Sequence, residues 1–450
     1  MGLALAIGLI YRVQMLSEAL WYDEVVTLWF SGEPLKTMLA AAAGDVHPPL
    51  WYVVTYVSVR WFGDNALAVR LPALLLALAS FPLAWSVFDW LWLNRPIRLL
   101  ALSLMALSPF LAYYSAEARM YSLLLFLVLL ATMAALRGNW SLLGLAVGLG
   151  LITHYLFVIY LPVIIYLYTR HDEANLYHAA IPAGLVALPW LPIAWAQFAA
   201  VKADYWILPL TPGRTVYTLH QVLVGSWLDE SAILPVGLVA LGLLTIGSLA
   251  AWKHHHHVLL ALAWSPFVVV LALSWVIRPV LIPRVLIGSA PFLLAIIAMG
   301  AYWLYTELTG RWTWLLAVVP LLALVAMPFP IRPDYPAIYR QINIRPGETC
   351  YHLLPGGVIM GRTYMPQCEH VRALAWPTRP NGLSQQTVTA LGLNPRPTVA
   401  GGDWLFFDYG PYTRQAELNR LNQILKNYPG SEQTILMERP AYTSIVWRLE

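Results

Sequence analysis

The chain has 450 residues, of which 59% are hydrophobic and 11% charged, and its mean hydropathy is +0.63. Soluble domains carry roughly a quarter charged residues, so this composition excludes a soluble globular protein and describes one embedded in lipid. The formal net charge of +4 is dispersed along the chain and excludes a nucleic-acid surface, while 21 Trp and 24 Tyr supply aromatic belts for many helices.

Residues 1–17 are apolar, interrupted by Arg12, and no small-residue cleavage site follows. They predict an uncleaved first span. The next stretch, 21–52, reads WYDEVVTLWFSGEPLKTMLAAAAGDVHPPLWY. It places Asp23 and Glu24 behind an aromatic pair, then Asp45, His47, Pro48 and Pro49 before further aromatics. Carboxylates beside interfacial aromatics are functional candidates, so residues 18–65 read as a catalytic first outer loop. The run 50–62 contains Arg60 and is short for a crossing; it is predicted to lie flat as a juxtamembrane helix.

Later apolar runs lie near 66–90, 97–113, 121–136, 140–153, 155–169, 178–198, 232–252, 258–276, 284–306 and 312–328. Together they predict about eleven crossings. The loops holding Arg95 and Arg98, Arg137, Arg170, Lys253 and Arg311 then fall on one side, the cytoplasmic one by the positive-inside rule. The loop after Trp21, the 114–120 turn, residues 199–230, the 277–283 turn and the C-terminus fall outside. The run His254–His257 reads as a solvated cytoplasmic turn, although four histidines also suggest metal binding.

Residues 331–450 are rich in Pro, Gly and Arg and alternate short apolar runs with a helical pattern, TRQAELNRLNQILKNY. This predicts a small α/β domain outside the cytoplasm. Cys350 and Cys368, the two cysteines of the chain, would there form a disulfide or stay as unpaired small apolar residues. The expected domains are 1–330, transmembrane and catalytic, and 331–450, extracytoplasmic.

The chemistry-bearing residues suggest a group transfer at the membrane surface. Asp23 and Glu24 are neighbours, so on a helix they point about 100° apart and need not share one task. One could serve as a base near neutral pH; the bland alternative is a pair of acids at a helix N-terminus. His47 stands on a rigid turn before Pro48 and Pro49. There it could contact a phosphate, hold a divalent metal with Asp45 or Glu24, or bond only to backbone. Arg119 and Arg284, with Glu117 and Arg278 nearby in sequence, and Arg70 could clamp phosphate oxygens or simply snorkel. His154 and Tyr155 could line a pocket or pack against each other.

The WYDE of the first outer loop, the following HPPLWY, the later SAEARMYSL and the late PRVLIGSAPFLL resemble, in order and spacing, GT-C glycosyltransferases of the protein O-mannosyltransferase and aminoarabinose-transferase type. The resemblance covers most of residues 1–330. It implies an all-α polytopic membrane protein of about eleven spans with juxtamembrane helices outside, carrying here the small C-terminal α/β domain. It further implies transfer of a sugar from a polyprenyl-phosphate donor to a hydroxyl of a protein, lipid or glycan, at the outer face of the cell membrane. By the resemblance Asp23 matches the base and Glu24 an acceptor- or metal-orienting group. Arg284, Arg119, His47 and Arg70 would meet the donor phosphate, and Trp21, Tyr22, Asp45, Tyr121, His154 and Tyr155 would line the pocket. Where the family commonly has Arg-Tyr, this chain reads Arg284-Val285. Two other classes compete with a transferase. A multi-pass transporter or flippase would put its charges at mid-membrane and show paired repeats, and a non-catalytic scaffold would be indifferent to loss of Asp23.

Overall fold

A computed structural model of the chain describes residues 1–170, 176–203, 207, 209–225, 230–307, 335–352, 355–372, 389, 402–409, 415–439 and 442–450. Among the described residues five helices are long and apolar enough to cross a membrane: Ala66–Trp90, Tyr177–Ala199, Val236–Lys253, His257–Val276 and Ala290–Glu307. Shorter apolar helices occupy Gly2–Met15, Tyr121–Leu136, Trp140–Leu151 and Tyr155–Tyr168. The protein is a multi-pass membrane protein. The expected run at 312–328 lies outside the described residues.

The chain divides into two compact units. The first comprises Met1–Ser17, Arg70–Leu191 and Ile207–Ile331 and the second Glu18–Val69, Pro192–Trp206 and Arg332–Glu450. Residues 18–69, which include the first outer loop, thus group with the C-terminal residues. Three contacts explain this. Trp29 Nε1 donates to Thr363 Oγ1 at 3.1 Å, Tyr364 OH donates to the Leu20 carbonyl at 2.7 Å, and the Arg362 guanidinium lies 5.7 Å from the Trp29 ring centre.

Two features organise the helices of the first unit. The helix Arg95–Leu107 breaks into Pro109–Ser115 with a bend of 59°. Ser108 caps the second piece, its Oγ accepting from Leu111 N–H at 3.2 Å, and Pro109 follows where a missing N–H costs nothing. A break in lipid frees carbonyls that must be satisfied from elsewhere, and the buried Arg12 does this. Its Nη1 donates to Ala106 O at 2.7 Å and Gly8 O at 2.8 Å, and its Nη2 to Met105 O at 3.2 Å. The second feature is close backbone packing of Glu230–Lys253 on Ala290–Glu307. A Cβ at Gly247 would sit 1.9 Å from Ile296 O and one at Gly300 2.3 Å from Leu243 O. Small residues admit this approach between membrane helices.

The second unit contains the helices Tyr22–Gly32, Leu35–Gly44 and Leu50–Phe62. The last of these packs on the first through a buried bond from Ser31 Oγ to Thr55 Oγ1, 2.7 Å long. Its C-terminal part is a five-stranded sheet, β1 (Thr349–His352), β2 (Glu369–Arg372), β3 (Trp404–Tyr409), β4 (Glu432–Arg439) and β5 (Tyr442–Arg448), in the order β2-β1-β3-β5-β4. β1 runs parallel to β2 and β3, while β5 is antiparallel to β3 and β4. Alternation along the strands gives each face its own core. Tyr351, Leu405, Phe407 and Trp447 pack with Leu421 and Ile424 of the amphipathic helix Gln415–Leu425. On the other face His352 stacks on Phe406, ring centres 4.8 Å apart, near the helix Pro355–Tyr364. Burial pushes the His352 imidazole well below its ordinary value and that of His370 down to about 4.

Candidate active site

The candidate residues fall into two groups, one in each unit. In the second unit, Trp21 has extended backbone (φ −88°, ψ 172°) and caps the helix Tyr22–Gly32. Glu24 Oε2 accepts from the Trp21 N–H at 3.2 Å, satisfying a first-turn donor that a helix start leaves open. Glu24 is fully buried, with 0% exposure, while Asp23, Trp21 and Tyr22 are half-buried. The two neighbouring carboxylates therefore differ in surroundings: Glu24 shapes the helix start and Asp23 sits nearer solvent. Both lie in the first turn, at the positive end of the helix dipole.

The turn after Leu35–Gly44 brings Asp45 and His47 together. Asp45 Oδ2 accepts from Tyr52 OH at 2.8 Å and lies 3.1 Å from His47 Nδ1. An ionised carboxylate only accepts, so Nδ1 carries the hydrogen and the imidazole lone pair stands on Nε2. Gln197 steadies the same turn, its Nε2 donating to Ala42 O at 2.8 Å and Ala43 O at 3.2 Å. Neither Tyr52 nor Gln197 was singled out from the sequence; Tyr52 belongs to the HPPLWY stretch, but Gln197 carries no local signal. Among the described residues the convergent group of three His, Cys, Asp or Glu donors is Cys350, Cys368 and His370, not Glu24, Asp45 and His47.

In the first unit, Tyr121 is the hub. It is almost wholly buried, begins the helix Tyr121–Leu136, and has the Arg284 guanidinium 5.7 Å from its ring centre. The Tyr114 ring lies 4.9 Å away, edge-on, and the His154 ring 6.2 Å away. Three sequence-predicted residues, Arg284, Tyr121 and His154, thus meet at one ring. His154 Nδ1 accepts from the Leu156 N–H at 3.1 Å, which puts the ring hydrogen on Nε2. Tyr155 OH accepts from Trp190 Nε1 at 2.9 Å, so this pair points to separate partners.

Arg284 stands on a single 3₁₀ turn, Pro283–Leu286, and Tyr160 clamps that turn. The Tyr160 hydroxyl donates to Val285 O at 2.6 Å and accepts from Gly288 N–H at 3.0 Å, bracketing Arg284 on its C-terminal side. Tyr160 escaped the sequence reading because a tyrosine in an apolar run reads as an interfacial belt residue. Arg119 and Glu117 are both buried in the turn that follows the short helix Pro109–Ser115, joined by a backbone bond from Arg119 N–H to Glu117 O of 2.7 Å. Arg70, fully buried, donates through Nη1 to Met15 O and Leu16 O, both at 3.1 Å. It caps the C-terminus of Gly2–Met15, where a cation is favoured, a structural task that accounts for its burial.

Cys350 and Cys368, Cα atoms 6.3 Å apart, are joined as a disulfide in the sheet of the second unit. The histidine run follows the helix ending at Lys253; His254, His255 and His257 are exposed, His255 has a positive φ of 61°, and the His257 ring lies 4.9 Å from Trp252.

No family model matches the chain, and no curated protein matches it in sequence. Among solved structures it is similar to ArnT from Cupriavidus metallidurans in the apo state, with a TM-score of 0.60 at 12% identity, over 99% of this chain and 97% of that one. The same ArnT bound to undecaprenyl phosphate gives a TM-score of 0.59 at 13% identity, again over 99% and 97% of the two chains. At such identity the likeness speaks for architecture alone. The chain therefore has the fold of ArnT.

Proposed function

We propose that the protein is a membrane glycosyltransferase that moves a sugar from a polyprenyl-phosphate donor to a hydroxyl acceptor at the outer face of the cell membrane. The observation that carries this reading is the Arg284 turn: a guanidinium over the Tyr121 ring, on a backbone clamped by the buried Tyr160. A fixed cation against an aromatic wall suits a phosphate joined to an apolar tail. The similar ArnT structure bound to undecaprenyl phosphate supports the same class of donor.

In this mechanism the acceptor oxygen attacks the anomeric carbon of the donor as its proton passes to the Asp23 carboxylate. The bond from that carbon to the phosphate oxygen breaks, and the polyprenyl phosphate leaves with the electron pair. Arg284, with Arg119, stabilises the charge that grows on the departing phosphate. Glu24 holds the helix start that presents Asp23. His47, fixed by Asp45, presents Nε2 to acceptor or donor, and Trp21, Tyr22, Tyr121 and His154 line the sugar and phosphate sites. Arg70 serves by holding the end of the first helix. Apart from the Asp45–His47 contact, the chain's residues suit a reaction that proceeds by base and cation, and no step is assigned to a metal.

The test is transfer from a defined polyprenyl-phosphate sugar in nanodiscs. Arg284→Ala should lower turnover more than donor binding, because its charge acts chiefly on the leaving group. Arg284→Lys should restore activity only in part, since an ammonium lacks the two-pronged contact. Full activity in Arg284→Ala, or activity with a soluble nucleotide sugar alone, would sink the mechanism.

A further inference from the structure

The sheet face turned toward the helix Pro355–Tyr364 holds side chains that sugar transfer does not use. Cys350 and His352 alternate along β1; Cys368 leads into β2 and His370 lies on it. Cys350 is in register with His370, so the period of two puts the four side chains on one face. All four are buried. Donor atoms of Cys350, Cys368 and His370 lie within 4.8 Å of one another, and His352 Nε2 is 2.8 Å from His370 Nδ1.

The hydrogen bonds around His370 orient it as metal-ligating histidines are oriented. Its Nε2 lies 2.7 Å from the Met365 carbonyl oxygen, which only accepts, so Nε2 carries the hydrogen. The lone pair is then on Nδ1, which faces His352 Nε2 at 2.8 Å and lies 3.9 Å from Cys368 Sγ, while that sulfur is 3.0 Å from the protonated Nε2. A ring N–H held by a backbone carbonyl is the usual outer partner of a ligating imidazole. Tetrahedral Zn²⁺, with bonds of about 2.3 Å to sulfur and 2.0 Å to nitrogen, needs donors roughly 3.3–3.8 Å apart. The His352–His370 pair at 2.8 Å lies below that range and Nδ1 to Cys368 Sγ at 3.9 Å just above it, so an ion would need the rings and the sulfur to shift by roughly half an ångström. The covering helix leaves the rings clear. A Cβ at Gly361 would lie 2.3 Å from His370 Nδ1 and 2.9 Å from His352 Nε2, and one at Gly357 2.8 Å from His352 Nδ1.

We infer that Cys350, Cys368, His352 and His370 form a buried site for Zn²⁺, filled when the cysteines are thiols and replaced by the Cys350–Cys368 disulfide when they are oxidised. Two thiolates and two imidazoles are the donor set of closed structural zinc sites, and sulfur ligands disfavour Mg²⁺ and Ca²⁺. The interconversion balances. A dithiol or phosphine reductant gives the disulfide two electrons, two protons are taken up, and two thiols result. Zn²⁺ then binds with release of those two protons. The ion would join β1 to β2 beneath the helix whose Tyr364 holds the Leu20 carbonyl.

The test uses full-length protein in detergent, reduced with a phosphine and titrated with Co²⁺ and then Zn²⁺. The reduced wild type should take up one Co²⁺ with the charge-transfer absorption that thiolate ligands produce, and Zn²⁺ should abolish that band. Protein reoxidised to the disulfide should show no such band. Cys368→Ser and His370→Gln should each weaken binding more than about a hundredfold, beyond the usual loss from an outer-shell partner. Metal uptake without a thiolate band would assign the ion to the exposed histidine run and overturn the inference. So would a reduced wild type, both thiols titratable, that binds no ion, or His370→Gln binding as tightly as wild type. The comparison of reduced and oxidised wild type needs no variant to fold.

Discussion

Removal of one oxygen atom, in Tyr160→Phe, tests how the phosphate cation is held. The Tyr160 hydroxyl serves two backbone groups, donating to Val285 O at 2.6 Å and accepting from Gly288 N–H at 3.0 Å. Tyr160 is 1% exposed and Val285 0%, so water cannot replace the lost partner without entering a packed interior. A buried polar group left unsatisfied costs about 1–3 kcal/mol, and two such groups with some relaxation cost about 2–4 kcal/mol. Because both flank Arg284, the strain falls on its turn. At tenfold per about 1.4 kcal/mol, a penalty of about 2 kcal/mol reduces the population of correctly placed Arg284 roughly thirtyfold. Turnover from a polyprenyl-phosphate sugar should drop about ten- to hundredfold, and amides 283–288 should exchange faster in hydrogen–deuterium measurements. The decisive comparison is a double-mutant cycle: in an Arg284→Ala background, Tyr160→Phe should cost little further activity. Equal losses in both backgrounds, or wild-type turnover and exchange in Tyr160→Phe, would refute the positioning role.

Two further outcomes follow from the first unit and the charge pattern. Arg12→Met removes the donor to Gly8 O, Ala106 O and Met105 O and strands the carbonyls freed at the Ser108 break. It should destabilise the protein by about 2–4 kcal/mol, read as a lower melting temperature in detergent, and unchanged melting would remove Arg12 from that role. Segregation of basic loops predicts that a cysteine at Asn94 is shielded from an impermeant thiol reagent on intact cells while one at Gly430 reacts; the reverse pattern would invert the topology.

Much of this was legible in the sequence because its signals are local. Low charge and long apolar runs gave the membrane class, and the aromatic-acid stretch at 21–24 gave the helix start that carries Asp23. Arg284, Tyr121 and His154 were named separately, and the fold gathers them around one ring. Ser108-Pro109 is a helix-start signal, but an apolar run on either side hid the 59° break. Arg12 read as a flaw in a span because the carbonyls it serves lie 93 and 94 residues away. The order β2-β1-β3-β5-β4 depends on parallel pairing between distant strands, which no local pattern records. The bond from the Trp21 N–H to Glu24 Oε2 is a helix-start contact that the sequence reading did not assign to Glu24. The grouping of residues 18–69 with the C-terminal part rests on bonds such as Trp29 to Thr363, 334 residues apart.

The central claim, base-assisted sugar transfer from a lipid phosphate, meets its most direct test at Asp23. Asp23→Asn keeps the shape of the side chain and removes the proton acceptor, while the Glu24 bond to the Trp21 N–H, 3.2 Å long, preserves the helix start. Turnover should be measured with a defined polyprenyl-phosphate sugar in nanodiscs, and donor affinity separately by equilibrium binding. The account predicts a fall in turnover of about 10²–10⁴-fold with donor affinity nearly unchanged. Near-normal turnover in Asp23→Asn would contradict it.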